Sequence, residues 1–421
     1  MKVLLSRFAG FSAVPLISFI APLFLLPIIP NVFGLAAWGS VGTAQAVGTV
    51  CAIVAGFGWN ISGGARIALS ADDAARRRIY GDSFWCRGLL VVTAGLVGAA
   101  LSSALVPAEF RLVAALVTLA TTAAAMTVVW YAVGVGDARV VLLFETVPVS
   151  LSVALAIPLL LLTEQLLWYP VLTLIGFLAG PLLLNLRLYR RPVPPFAGRR
   201  ILRAYRANVS VAAAETIGGT YTSAPIPLAQ GLLGATASGQ ATSADKFFRI
   251  ALFAITVLSN TLQKWVLEVS YEHGRGRRHL VAFGLHTALA LIGGTALTLL
   301  GPVFSALLFG AEATPEIAVF LGFGATFALT SLTTPFIRNV LVPAGLNRYV
   351  LYGTLGAALV GVPLMIWASQ WGLSGIIGGL AASELVILAV VGVAGTHHLL
   401  AERRAAFALV APSATSEGGV A

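Results

Sequence analysis

Three charged residues lie close together within an otherwise apolar stretch: Asp245, Lys246 and Arg249. A charge at the bilayer centre costs about 3 kcal/mol on insertion scales, so such residues usually face a protein interior or a watery cavity. Asp245 and Arg249 are four residues apart and can pair on one helix face, whereas Lys246 lies about 100° around the helix. The pattern indicates either a polar pathway, in which Lys246 receives an anionic group, or an ion pair that joins two helices.

Single carboxylates occur in three other apolar stretches, at Glu145, Glu215 and Glu384. Such a group can carry a proton, help to hold a sodium ion, or pair with a nearby cation. We therefore take Glu215, Asp245 and Glu384 as candidates for coupling to H⁺ or Na⁺, with a purely structural role as the alternative. Glu145 follows Arg139 by only six residues, and we expect it to be an interfacial carboxylate.

A second polar group follows a glycine-rich segment at the end of another apolar run. Trp59 can stack on a sugar ring or lie in the interfacial aromatic belt, while Asn60 and Arg66 can donate hydrogen bonds to phosphate. Lys264 and Arg338 end apolar runs in the second half of the sequence. These residues predict cations at one mouth of a membrane pathway.

The composition requires a membrane setting for these residues. The chain has 421 residues, 58% of them hydrophobic and 10% charged, whereas a soluble domain carries about 25% charged residues. A net charge of +10 does not indicate nucleic-acid binding here, because membrane proteins concentrate arginine in short cytoplasmic loops. Cys51 and Cys86 predict neither a disulfide framework nor a metal site. We find no HExxH, Walker or catalytic-triad pattern, so we expect no enzyme.

The hydropathy pattern predicts twelve membrane-spanning helices of about 20 residues each. Their expected ranges are 9–29, 38–62, 88–106, 112–134, 140–162, 167–187, 207–230, 236–262, 280–300, 315–337, 349–368 and 373–398. We expect the first to be retained and not removed as a signal peptide. Of the 26 Lys and Arg residues, only Arg111 then falls in an outer loop. This asymmetry predicts that both termini are cytoplasmic.

The spans divide into two sets of six. We expect an N-lobe at 1–187, a basic cytoplasmic linker at 188–206, a C-lobe at 207–400 and a disordered tail at 401–421. Each lobe opens with a helix that proline or glycine interrupts, which is typical of transporters with a site between related halves. The interrupting residues are Pro15, Pro22, Pro27, Gly218, Gly219, Pro225 and Pro227.

Four sequence blocks carry a family resemblance. The first runs through Pro27, Gly34, Gly39, Ala44 and Gln45, and the second is GFGWNISGGARIA at 56–68. The third is SGQATSADKFFRIA, with Gly239, Ala244, Asp245 and Lys246, and the last contains Gly372, Gly375, Ser383 and Glu384. In order and spacing, the blocks resemble those of Wzx-type O-antigen and capsule flippases, which belong to the MOP superfamily together with the MATE transporters.

The resemblance implies an all-α polytopic membrane protein with a MATE/MOP-like fold of two six-helix lobes around a cationic cavity. It also implies a bacterial inner-membrane flippase that moves a polyprenyl-pyrophosphate-linked oligosaccharide to the outer leaflet, with membrane lipids and polysaccharide assembly proteins as partners and without a cofactor. The substrate-binding candidates are Arg66, Lys264 and Arg338 at the inner mouth, Lys246 and Arg249 at mid-depth, and Trp59, Asn60 and Gln240 for the sugars.

Four alternatives remain open at this stage. A non-transporting assembly component would not need solvated charges in the middle of a span. A MATE-type exporter of cationic drugs or metabolites needs carboxylates in its cavity, and the sequence offers carboxylates beside the cations. A flippase for the peptidoglycan lipid precursor usually has fourteen spans, not twelve. A membrane-embedded transferase needs a sizeable outer loop, and the outer loops predicted here are short.

Overall fold

A computed structural model describes residues 24–268 and 275–410, without the side chains of Ser210, Ala214, Lys264 and 405–410. The predicted first span, 9–29, therefore lies largely outside the described residues, as does the end of the predicted tail. The described residues form helices joined by short turns, without a strand. We number the α-helices as follows: α1 Ile28–Gly56, α2 Trp59–Ala68, α3 Asp73–Leu105, α4 Arg111–Ala123, α5 Val129–Val135, α6 Ala138–Val141, α7 Val147–Thr163, α8 Trp168–Tyr189, α9 Gly198–Ser223, α10 Pro225–Leu233, α11 Ala235–Leu267, α12 Arg275–Phe309, α13 Ile317–Pro335, α14 Asn347–Ala368 and α15 Gly372–Val410.

Nine stretches of the described chain are long and apolar enough to cross a membrane. Most coincide with predicted spans, and the last, Asn347–Arg404, contains both of the final two predicted spans, which a short 3₁₀ turn joins. The seventh predicted span, 207–230, lies in α9 and α10, which meet at Ala224 and are not among the nine. The prediction of an all-α polytopic membrane fold is confirmed.

The described chain forms two compact units. The first contains residues of Met1–Ser243, Val303–Pro315 and Ser369–Ile376, and the second contains residues of Ala244–Pro302, Glu316–Ala368 and Ile377–Ala421. The predicted lobe boundaries remain a prediction.

Helix α1 is the centre of the first unit, where it packs against α3, α4, α9 and α10. Small residues allow the helices to approach closely. A Cβ atom on Gly39 would lie 2.2 Å from the carbonyl oxygen of Ala235, and one on Gly42 would lie 1.8 Å from Thr242 Oγ1. The start of α11 is therefore held directly against α1.

Glycines also allow close helix approach in the second unit, among α12, α13, α14 and α15. A Cβ atom on Gly294 would lie 2.9 Å from the carbonyl oxygen of Gly324, and one on Gly361 would lie 1.7 Å from Ser383 Oγ. Because dispersion and close backbone packing drive helix association in lipid, these small residues hold the unit together.

Candidate functional site

A basic cavity lies within the first unit, where α2, α3 and α9 meet. Its volume is about 290 Å³, and we call it the arginine cavity. It is lined by Trp59, Arg66, Ile79, Asp82, Arg200, Arg203, Ala204 and Ala207. Three guanidinium groups and one carboxylate thus share a space that is large enough for a small polar group and open to its surroundings.

A break in the main chain positions Arg66. Helix α1 ends at Gly56, and Phe57 and Gly58 both adopt left-handed backbone angles, with φ of 47° and 71°, before α2 begins at Trp59. Helix α2 then needs only two turns to bring Arg66 back over the buried Trp59 ring, with its guanidinium carbon 5.1 Å from the ring centroid. The predicted span 38–62 is thus interrupted near its end.

Asn208 fixes the direction of the Arg66 side chain. Arg66 Nη2 donates a hydrogen bond to Asn208 Oδ1 at 2.8 Å, and Ser62 Oγ donates to the same oxygen at 3.0 Å. Because the indole face and the amide both hold this guanidinium, little side-chain entropy is left to lose when it binds an anion.

The other two arginines of the cavity differ in their partners. Arg200 Nε donates to Asp82 Oδ1 at 3.0 Å, which makes a partly exposed ion pair. Arg203 Nε donates to the carbonyl oxygen of Arg199 at 3.4 Å and forms no ion pair within 4 Å among the described side chains. The arginine cavity therefore keeps a net positive charge.

The predicted linker 188–206 supplies Arg200 and Arg203, because α9 begins at Gly198 and continues through both residues. Neither arginine is among the candidate site residues predicted from the sequence, because a basic linker is expected to act as an orientation signal. Their spacing of three residues on a helix was the available signal, since residues three apart share a face.

Of the remaining candidates in the first unit, Glu215 lies beside the backbone amide of Gly58 at the break between α1 and α2. Asn60 is exposed at the start of α2 but does not line the arginine cavity. Gln240 Nε2 donates to the carbonyl oxygen of Glu312 at 3.2 Å.

A second break, in the fourth predicted span, is stabilised by the buried Arg87 and the partly buried Glu145. After α4 the chain makes a 3₁₀ turn at Ala124–Met126 before α5 starts at Val129. The fully buried Arg87 donates from Nη1 to the carbonyl oxygens of Ala125 and Thr127, at 2.7 and 2.8 Å. These bonds satisfy carbonyl groups that have no partner at the end of a helix.

Glu145 accepts hydrogen bonds from other polar groups of the same break. Its carboxylate accepts hydrogen bonds from Thr127 Oγ1, 2.7 Å from Oε2, and from the backbone N–H of Val128 at 2.9 Å. The carboxylate lies in a π-helical turn, Leu142–Thr146, which follows α6. The interfacial carboxylate expected from the sequence thus has a defined structural task.

The charged cluster of α11 lies in the second unit. Arg249 Nε and Asp245 Oδ2 are 2.6 Å apart, and Asp245 is buried while Arg249 is partly exposed. Lys246 is partly buried next to this pair. The structure thus contains the ion pair that the four-residue spacing predicts.

The other candidates of the second unit are separate from that pair in sequence. Glu384 is buried, and its Oε2 accepts a hydrogen bond from Thr330 Oγ1 at 3.2 Å. Arg338 lies in a π-helical turn, Phe336–Leu341, and its carbonyl oxygen accepts from Gln263 Nε2 at 3.4 Å. The side chain of Lys264 lies outside the described part of the structure. No group of three His, Cys, Asp or Glu residues among those described could hold a metal ion.

Comparisons with known proteins identify the fold. No protein-family model matches the chain, and no curated protein is significantly similar in sequence. One solved structure, described as the inward-facing conformation of a multidrug resistance MATE family transporter of the MOP superfamily, is similar with a TM-score of 0.68 and 16% identity. That match covers 97% of this chain and 100% of the other.

Two further structures have lower TM-scores. A MATE transporter in complex with MaD5 matches with a TM-score of 0.46 and 14% identity, over 94% of both chains. An outward-facing MATE family transporter of the MOP superfamily matches with a TM-score of 0.37 and 14% identity, over 96% of this chain and 93% of the other. The chain therefore has a MATE/MOP-like fold, on the strength of the first comparison.

Proposed function

We propose that this chain is a transporter and not an enzyme, and that it moves a polyprenyl-pyrophosphate-linked oligosaccharide from the inner to the outer leaflet by alternating access. The observation that carries the proposal is the arginine cavity. The MATE/MOP-like fold of the chain and its membrane-length helices support a transport role.

The chemistry of the cavity suits a pyrophosphate. A planar guanidinium binds phosphate oxygens through two parallel N–H donors, and this geometry is stronger and more specific than a point charge. Arg66 is held in place by Trp59 and Asn208, whereas Arg203 has no carboxylate within 4 Å among the described residues. Arg200 is already paired with Asp82. A dianion that enters the cavity therefore competes with a single carboxylate for the three arginines.

The polar residues of the second unit have a supporting role in the proposal. The roles predicted from the sequence, Lys264 and Arg338 as cations of the inner mouth and Lys246 and Arg249 as mid-depth contacts of the head group, remain predictions. The sugars contact Asn60 and Gln240, whereas the ring of Trp59 is buried beneath Arg66 and does not stack on a sugar as the sequence led us to expect. Transport is coupled to H⁺ or Na⁺ through Glu215, Asp245 or Glu384, since a carboxylate is the side chain that can bind either ion.

The proposed setting follows from the substrate. A polyprenyl-pyrophosphate glycan is made at the inner face of the bacterial cytoplasmic membrane, so the chain works there with both termini in the cytoplasm. Polysaccharide polymerase and assembly proteins receive the product on the outer side.

A MATE-type exporter of cationic compounds is the second candidate, and the fold comparison fits it equally well. A cationic substrate requires a negatively charged cavity, and the arginine cavity has the opposite charge. The carboxylates Asp245, Glu215 and Glu384 are what favours this alternative, although Asp245 is neutralised by Arg249.

Binding to the purified full-length protein separates the two candidates. We expect a short-chain prenyl pyrophosphate to bind and a cationic dye of the ethidium type not to bind. Arg203→Gln removes one charged donor and should weaken pyrophosphate binding about tenfold or more, because one hydrogen bond to a charged group contributes about 1.5–3 kcal/mol. Arg66→Gln should weaken it similarly.

Arg199→Gln is the matched control for Arg203→Gln. Arg199 is exposed on the same helix one turn earlier, and it does not line the arginine cavity. Tight binding of the dye, or equal losses in Arg203→Gln and Arg199→Gln, would contradict the proposal. In cells, Arg203→Gln should accumulate lipid-linked oligosaccharide on the inner leaflet while Arg199→Gln does not.

A further inference from the structure

A second basic cavity lies in the first unit, formed by the ends of α3, α5, α6 and α8. Its volume is about 430 Å³, and we call it the groove cavity. Arg76, Arg77 and Arg187 line it together with Asp73 and Asp137, and the remaining lining consists of a tyrosine, valines and leucines. None of its lining residues belongs to the arginine cavity, so its chemistry has to be explained separately.

The two carboxylates of the groove cavity are already engaged locally. Asp137 Oδ1 accepts the backbone N–H of Arg139 at 3.0 Å, which caps α6. Asp73 Oδ1 lies 3.2 Å from Arg76 Nη1. These contacts leave Arg77 and Arg187 as the two cations without a carboxylate partner within 4 Å among the described residues.

Neither of these two guanidiniums is satisfied by its neighbours. Arg77 makes two long hydrogen bonds, from Nε to the carbonyl oxygen of Asp73 at 3.4 Å and from Nη1 to that of Leu188 at 3.5 Å. Arg187 lies over the Phe144 ring, 5.6 Å from its centroid, and is exposed. Both keep N–H donors that can bind a phosphate.

The apolar surface beside the cavity indicates what carries that phosphate. On α8, Leu183 lies one turn before Arg187 on the same face and is 43% exposed, and Leu188 lines the cavity itself. Leu143, three residues after the lining residue Val140, is 50% exposed. A soluble anion does not bury such an apolar surface when it binds, whereas the acyl chains of a lipid do.

We propose that the groove cavity binds the phosphate of an anionic phospholipid, with Arg77 and Arg187 as its ligands and the leucines of α8 against the acyl chains. Basic pockets between helix ends at the cytoplasmic surface are typical sites for such head groups. An annular lipid held at this position touches four helix ends at once and stabilises the first unit.

Native mass spectrometry of the full-length protein, released from detergent with added lipid, tests the proposal. We expect retained adducts of phosphatidylglycerol and none of phosphatidylcholine, whose head group carries no net charge. Each arginine near an anionic lipid contributes about fivefold to the affinity, so Arg77→Gln combined with Arg187→Gln should weaken phosphatidylglycerol binding about 25-fold.

The matched control combines Arg78→Gln with Arg191→Gln. Arg78 and Arg191 are exposed and lie close in sequence to the proposed ligands, but they do not line the groove cavity. This control should change binding less than twofold. Equal losses in both double variants, or equal retention of phosphatidylcholine, would overturn the proposal.

Two further measurements distinguish a bound lipid from free phosphate, and loss of charge from misfolding. Inorganic phosphate at millimolar concentration should not displace phosphatidylglycerol, and displacement would show that the cavity binds free phosphate instead. Arg77→Lys combined with Arg187→Lys keeps the charge and should retain most of the binding, whereas a misfolded variant would lose it. Prenyl pyrophosphate binding should be unchanged in the Gln variant, so a failure of this proposal is distinguishable from a failure of the proposed function.

Discussion

The break between α4 and α5 should depend on Arg87. Its Nη1 donates to two carbonyl oxygens at 2.7 and 2.8 Å, and its side chain is fully buried. Each hydrogen bond to a charged donor contributes about 1.5–3 kcal/mol, so Arg87→Leu should lower the free energy of unfolding by about 3–6 kcal/mol. Arg87→Lys keeps a charged donor on a shorter side chain, so we expect it to keep about one of the two bonds and to lose about half as much.

Glu145 should be coupled to Arg87 through Thr127. Arg87 binds the carbonyl oxygen of Thr127, while Glu145 accepts the hydroxyl of the same residue and the N–H of Val128. Arg87 is fully buried and Glu145 is partly buried, so removal of either charge leaves the other with less compensation. The double variant Arg87→Leu with Glu145→Gln should therefore lose less stability than the sum of the two single variants, by about 0.5–3 kcal/mol.

The two cysteines provide the assay. Cys86 is fully buried beside Arg87, whereas Cys51 is partly exposed. In a Cys51→Ser background, a thiol-reactive dye reports the exposure of Cys86 during thermal unfolding in detergent. Arg78→Leu, an exposed arginine on the same helix, is the control. If Arg87→Leu unfolds at the same temperature as Arg78→Leu, the assignment of Arg87 to the break is refuted.

Three further predictions concern other contacts. Gly42→Ala should destabilise the protein by about 1–3 kcal/mol, because its Cβ would overlap a threonine, whereas Gly378→Ala has open space and should be neutral or stabilising in the same thermal assay. Asp245→Asn should lower the unfolding temperature by leaving Arg249 without its carboxylate. The double variant with Arg249→Gln should recover part of the lost unfolding temperature, and an equal loss in the single and double variants would contradict a direct pair. Asn208→Leu should weaken prenyl pyrophosphate binding several-fold without a change in stoichiometry, measured by calorimetry, because the Arg66 guanidinium loses the amide oxygen that orients it.

Hydropathy predicted most of the helices because a bilayer demands long apolar segments, but it placed the start of α3 poorly. The predicted span begins at 88, whereas the helix begins at Asp73. The polar extension carries arginines that hydropathy excludes. A local signal was nevertheless present, since Asp72 caps the helix and its Oδ1 accepts the N–H of Ala75 at 2.6 Å.

The break after α4 could not be predicted from local sequence. No glycine or proline occurs in the run from Ala123 to Val129. The groups that satisfy its backbone come from Arg87, 38 and 40 residues before the two carbonyls, and from Glu145, 17 residues after the freed N–H. A tertiary contact of this kind leaves no periodic pattern. The arginine cavity was missed for the same reason, because Arg200 and Asp82 are 118 residues apart.

The family resemblance also has a physical basis, and this basis limits what it predicts. Gly39 of the first block and Gly239 of the third lie at the contact of α1 with α11, where a Cβ on Gly239 would lie 2.4 Å from Leu35 Cδ1. The spacing of these glycines therefore reflects how two helices pack. A flippase and an exporter of the same fold would share that packing. Substrate class has to be inferred from the charge of the cavities instead. Arg66, Arg200 and Arg203 make that charge positive in the first unit, and for this reason we favour an anionic head group over a cationic drug.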